Sequence, residues 1–184
     1  MSKILCVYSN CVYSNGEKYT LLNDGVIPKN FNFIIERTLE LNIQIMGIAP
    51  LRDREFFIID SDLNEFKLPM ISSLLEILPD KTGVIAFYDK EKGILNDCTY
   101  LPPPHNAAIY NVDGTLRHQL IVPKELLTWG GEGWYIHSAY YADFPSIQGF
   151  GVMVTNDHHW PELCFCLYDG TSNLVWTGYQ QERR

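Results

Sequence analysis

Residues 107–122 read AAIYNVDGTLRHQLIV. The apolar run Ala107–Tyr110 meets a turn signal, Asn111-Val112-Asp113-Gly114. A second strand-like run, Thr115–Val122, follows and is halted by Pro123. Two such runs around an Asp-Gly turn predict an antiparallel hairpin. The plan recurs downstream as Cys164–Tyr168, the turn Asp169–Asn173 and Leu174–Tyr179. Between the two lie the apolar, aromatic runs Trp134–Tyr141 and Phe150–Val154. Beyond about Asp97 the chain is therefore expected to be nearly all antiparallel strand.

The pattern upstream is different. Ile4–Tyr8 reads as a strand ended by Ser9-Asn10, and Cys-Val-Tyr-Ser-Asn occurs twice in tandem, at 6–10 and 11–15. An odd step of five would turn the second copy to the opposite face of a continuous strand. The second copy is thus expected in a loop or a second short strand. Asn23-Asp24-Gly25 is a turn signal. From Pro28 the residues Phe31, Ile34, Ile35, Thr38, Leu39 and Leu41 form a helical face, and Leu41–Ile48 then alternates as a strand would. A charged turn, Arg52–Glu55, leads into a strand at Phe56–Ile59. Leu68–Leu78 reads as a second helix, with Ile71, Leu74, Leu75 and Leu78 facing inward, and Gly83–Tyr88 as the next strand.

These readings predict an α+β protein: a mixed α/β N-terminal half with two helices, then a mostly antiparallel β-sheet C-terminal half. Leu101-Pro102-Pro103-Pro104 reads as a stiff, extended link that marks possible sub-lobes at 1–100 and 105–184. Each half is small to bury a core of its own. One α+β domain over 1–184, with a continuous sheet, is the expectation.

The 184 residues are 46% hydrophobic and 20% charged, with a formal net charge of −8. This is an ordinary globular balance. An acidic chain is poorly suited to holding phosphates, so direct nucleic-acid binding is not expected. The charge is regional. Residues 93–182 hold nine acidic residues but only Arg117 and Lys124 as bases, a net −7, and all four Trp (129, 134, 160 and 176) lie there. Aromatic residues give rigid contact area at interfaces, and acids steer a basic partner. The competing reading is an aromatic strand core under a plain solvated surface.

No secretory leader or long apolar span is read in the chain, so no membrane role is expected. Five cysteines (6, 11, 98, 164 and 166) in no framework spacing point to reduced thiols and a cytoplasmic location. His158-His159 beside Asp157, near Cys164 and Cys166, is metal-like but poorly spaced, and no metal or cofactor is expected. Cys98 with His105 or His137 is an unspecific thiol–imidazole pairing, and His118 falls within a strand. There is no Gly-x-Ser-x-Gly elbow and no phosphate-binding loop. Gly130–Gly133 and Gly149–Gly151 read as turns or bulges. No catalytic residue is therefore assigned. Glu132, Asp143 and Asp157 leave open a small hydrolase acting on carbohydrate, which needs carboxyls roughly 5–10 Å apart. A self-associating structural or sensory module is the remaining alternative.

Tyr110-Asn111-Val112-Asp113-Gly114-Thr115-Leu116-Arg117, the later Pro123, the strand Phe150–Val154 and the terminal hairpin Phe165–Trp176 resemble immunity proteins of bacterial contact-dependent growth-inhibition and polymorphic-toxin systems. The likeness spans about 107–180 and is one of turns and strands. It implies a cytoplasmic inhibitor that binds a cognate toxin domain. Many such toxins are nucleases with a basic active-site surface, which an acidic inhibitor can cover. The expected contacts are Asp113, Glu132, Asp143, Asp157, Glu162 and Asp169, with Trp129, Trp134, Tyr140, Tyr141 and Trp160 as anchors.

Overall fold

A computed structural model of the chain describes residues 2–13, 16, 18–26, 51–69, 74–88, 100–129, 132–156 and 163–181. Three four-stranded antiparallel sheets account for nearly all of its regular structure. The first has the order β2-β1-β3-β4 and is built from β1 (Ile4–Tyr13), β2 (Lys18–Gly25), β3 (Leu51–Asp60) and β4 (Glu65–Leu68). The second, β5-β6-β7-β8, uses β5 (Leu74–Ile77), β6 (Gly83–Phe87), β7 (Ala107–Asn111) and β8 (Leu116–Gln119). The third, β12-β11-β10-β9, uses β9 (Trp134–Phe144), β10 (Ile147–Asn156), β11 (Leu163–Leu167) and β12 (Val175–Gln181).

The sheets stack as three layers because the middle one is apolar on both faces. In β6 every residue is buried, and side chains alternate between two cores as the strand period requires. Val84, Ala86 and Tyr88, with Ala108 and Tyr110 of β7, face the first sheet and pack on Ile4, Val7, Phe56, Ile58 and Leu68. Ile85, Phe87, Ala107 and Ile109 face the third sheet and pack on Trp134, Ile136, Val152, Val154, Cys164 and Cys166. The buried hydroxyls of Tyr88 and Tyr110 hydrogen-bond each other at 2.6 Å, so neither is orphaned in the first core. Buried Asn106 ties the second sheet to the third, donating to the carbonyls of Tyr88 and Ile136.

The expected α+β architecture is not found. Among the described residues 64% lie in strands and 5% in helix, and there is one short helix, α1 (Lys124–Trp129). It follows Pro123, whose carbonyl accepts from Leu126 N–H at 3.1 Å, and it buries Leu126. Within the helix expected at 68–78, Leu68 ends β4 and Leu74–Ile77 form β5, while residues 70–73 lie outside the described residues. Of the residues expected to face inward, Leu74 is exposed and Ile71 lies outside the described residues; Leu75 and Leu78 are buried, but Leu75 enters the first core and Leu78 the second. Short apolar runs fit either period, and pairing of Leu74–Ile77 with Val84–Phe87 decides for the strand. The helix expected from Pro28 and the strand at 41–48 lie outside the described residues.

Other expectations shift in detail. Both Cys-Val-Tyr copies belong to one continuous strand, β1. The odd step does turn the second copy over. Cys6 packs with Tyr8 and Ile59 on the outer side of the first sheet, while Cys11 shares the opposite face with Ser9. Arg52–Glu55 lies inside β3, and Asn23–Gly25 ends β2. Residues 103 and 104 form a turn about a cis Pro103–Pro104 peptide, and Tyr100 and Leu101 pack on the first core. The proline run is therefore not an extended link. The strands and hairpins expected at 83–88, 107–122, 134–154 and 164–179 are present, although Gly149 and Gly151 sit within β10 rather than in a turn.

Candidate functional site

The inner face of the third sheet is filled by its packing on the second. Its outer face carries rows of side chains set by strand register. Ser138, Met153 and Phe165 are opposite one another, as are Tyr140, Gly151 and Leu167. Register in β9 slips at His137, which adds an extra residue and presents its ring to solvent. The His137 Nδ1 lies 3.1 Å from Ser138 Oγ.

These rows form an open groove of about 410 Å³, lined among others by Ser138, Tyr140, Phe144, Phe165, Tyr179 and Gln181. Phe165 is the buried floor, and Tyr140 meets it edge-on at 6.0 Å between centroids. The Phe144 ring lies 22° from the plane of Tyr140 and 16° from that of Tyr179, the second pair with centroids 4.9 Å apart. The Phe144–Tyr179 contact joins the two edge strands of the sheet. In a flat sheet these would be roughly 14 Å apart, at about 4.8 Å per strand. The hairpin end of β9 must therefore lean across the outer face and make it concave.

Two glycines allow this. Gly149 has φ +138°, a backbone angle that L side chains rarely adopt. At Gly151 a Cβ would lie 2.2 Å from the Cys166 carbonyl oxygen and 2.8 Å from the Phe165 ring. The missing side chain is what lets Phe165 lie across β10. The apolar, aromatic runs of β9, β10 and β11 mark these strands in the sequence but not which face carries the groove. The partnership of Phe144 with Tyr179, across three strand spacings, has no local signal.

The expected contact residues are distributed rather than gathered. Tyr140 is 48% exposed and belongs to the groove. Tyr141 is 61% exposed on the opposite side of the strand, paired with Phe150. Asp143 is exposed near the hairpin end and accepts from Gln148 Nε2 at 3.3 Å. Trp134 is a core residue, 3% exposed. Trp129 stacks on Trp176 at 6.0 Å, at the end of α1. Asp113 and Asp169 occupy matching turns, each accepting from the N–H and hydroxyl of a threonine two residues on. The hydroxyl bonds from Thr115 and Thr171, with the backbone bonds beside them, hold both carboxyls below the usual aspartate range. Asp157, Trp160 and Glu162, with His158 and His159, lie outside the described residues.

Glu132 and Asp143 flank most of β9. At about 3.3 Å per residue the strand holds them on the order of 30 Å apart, well beyond the reach of paired carboxylates. Cys164 and Cys166 do share one face, as their spacing requires, but it is the inner one. Burial pushes the Cys164 thiol up to about 11, far from a reactive thiolate. Cys98 lies outside the described residues. Among the described residues no three His, Cys, Asp or Glu side chains are grouped to hold a metal ion.

A second cavity, about 590 Å³, lies between the first two sheets and is lined by Asp60, Phe66, Thr82, Val112 and Arg117 among others. Its polar groups already serve the fold. Arg117 Nε donates to Asn111 Oδ1 at 2.7 Å, and Nη2 donates to the Thr82 carbonyl at 2.6 Å. The Asp60 carboxylate accepts from the backbone N–H groups of Asp62 and Asn64 and from the Asn64 side chain.

No protein-family model, curated protein or solved structure matches the chain. Among the described residues no helix is long and apolar enough to cross a membrane.

Proposed function

We propose that this protein acts by binding another protein, and that the concave outer face of the third sheet is its docking surface. The observation that carries this reading is the continuous ring surface of Tyr140, Phe144, Phe165 and Tyr179 around an open groove, with Tyr140 half exposed. Aromatic anchors seated in a pocket are what concentrates binding energy at protein interfaces. The net charge of −8 favours a basic partner. With the resemblance of residues 107–180, this makes a toxin-neutralising immunity protein the partner-specific form of the proposal.

The test is co-purification at low salt with the domain encoded by the neighbouring gene, which is expected to be a basic toxin domain. The complex is expected to form, and Tyr140→Ala is expected to weaken it about 30-fold, the size of an interface hot spot. Absence of any complex with that domain would overturn the reading.

A further inference from the structure

We infer that the groove receives an arginine side chain of the partner, its guanidinium lying against the Tyr140 ring. This rests on the docking role proposed above and names the chemistry that the same site takes.

A planar cation is attracted to the face of an aromatic ring within about 6 Å of its centroid. The protein uses this contact internally. On the first sheet the Arg54 guanidinium sits 4.6 Å from the centroid of the Phe56 ring. The third sheet has no means of doing so for itself, since the sequence contains no Lys or Arg between Lys124 and Arg183. Its rings are therefore presented without a resident cation from the same sheet. The groove lining offers matching acceptors in the Ser138 and Tyr179 hydroxyls and the Gln181 carboxamide oxygen. Asp143 at the hairpin end adds negative potential, and no Lys or Arg opposes it within the sheet.

Arginine fits better than lysine for two reasons. Its guanidinium is flat, so it can lie parallel to Tyr140 as Phe144 does. It is also less strongly hydrated than an ammonium group, so burying it in a half-open groove costs less.

The experiment titrates the full chain with a short acetylated, amidated peptide bearing two arginines among glycines. A second peptide carries citrulline in place of arginine, which keeps the planar shape and removes the charge. Ring and backbone NMR shifts report the contact site. The arginine peptide is expected to shift the Tyr140 and Tyr179 resonances and to bind about fivefold more tightly than the citrulline peptide, a contrast of the size that a cation–ring contact gives. Tyr140→Phe is expected to keep that contrast and Tyr140→Leu to abolish it. Because Tyr140 is half exposed, both variants should fold, and an unchanged melting midpoint verifies this. Equal binding of the two peptides, or a contrast that survives in Tyr140→Leu, overturns the inference. If that happens while Tyr140→Ala still weakens the partner complex, the docking role stands and only the arginine assignment falls.

Discussion

Asn106 pairs with the backbone of Ile136 much as a neighbouring strand would. Its carboxamide oxygen accepts from Ile136 N–H at 2.7 Å, and its amide nitrogen donates to the Ile136 carbonyl at 3.1 Å. The same amide donates to the Tyr88 carbonyl at 2.7 Å. Asn106 is only 2% exposed, so water cannot replace these bonds. Asn106→Ala removes three buried hydrogen bonds, and a buried group that loses its partner costs roughly 1–3 kcal/mol. We predict a loss of roughly 3 kcal/mol or more in urea unfolding. A loss below about 1 kcal/mol would show that the clip is not needed.

Gly151→Ala is expected to be as damaging for a steric reason. The new methyl would meet the Cys166 carbonyl oxygen, a backbone atom that cannot swing aside. Overpacking of this kind costs about 1–3 kcal/mol and sometimes more. The variant should also lose the edge-on packing of Tyr140 against Phe165. Unchanged ring-to-ring NMR contacts together with unchanged stability would contradict this account.

His105 supplies an acid-sensitive contact. Its Nδ1 accepts from Val122 N–H at 3.0 Å, which requires an unprotonated Nδ1. Burial holds its pKa below the usual histidine range. The unfolded chain therefore binds this proton more readily than the folded one. The contribution is complete above about pH 6.5 and is lost as the pH falls through the lowered folded value. Replacing His105 with Gln should flatten stability against pH over that interval. A wild-type profile no steeper than that of the variant would refute this.

Glu76 works in the opposite sense. Burial first, then the charge of Asp24, raises its pKa, and a hydrogen bond from Ala139 N–H only partly offsets them. Asp24 is fixed nearby, accepting from Ile77 N–H at 2.7 Å. The folded state here binds the proton more readily than the unfolded chain, so stability declines as pH rises from the unfolded value of about 4.3 through the raised one. Glu76→Gln should melt higher than wild type at pH 7, and the gain should vanish below about pH 4. Identical melting at both pH values would exclude the repulsion with Asp24 as a cost.

Much of the C-terminal half was legible because its strands are bounded by Asp-Gly turns or carry clear apolar runs. The hairpin at 107–122 is one case, and β11 with β12 is another. The helix expected at 68–78 failed for a physical reason. Its leucines are spaced for one helical face, yet Leu75 and Leu78 enter different cores because the middle sheet has two buried faces. Periodicity in one segment cannot report that a neighbouring layer exists on each side. The contact residues divide in the same way. Residue type marks Tyr140, Trp134 and Trp129 equally as anchors, but strand register sends Trp134 inward and Tyr140 outward. No local pattern marks Phe144 and Tyr179, because their contact depends on the sheet's curl.

The stacking order of the three sheets also fixes a schedule of synthesis. Each sheet is drawn from its own continuous stretch of chain, and the layers follow one another from N to C terminus. As the ribosome releases the chain, the second sheet arrives in time to cover the first, and the third then closes the second's remaining face. A chain ending near residue 122 would leave Ile85, Phe87, Ala107 and Ile109 without the third sheet that covers them. The last fifty residues thus have two duties, finishing the interior on one side and carrying the aromatic groove on the other.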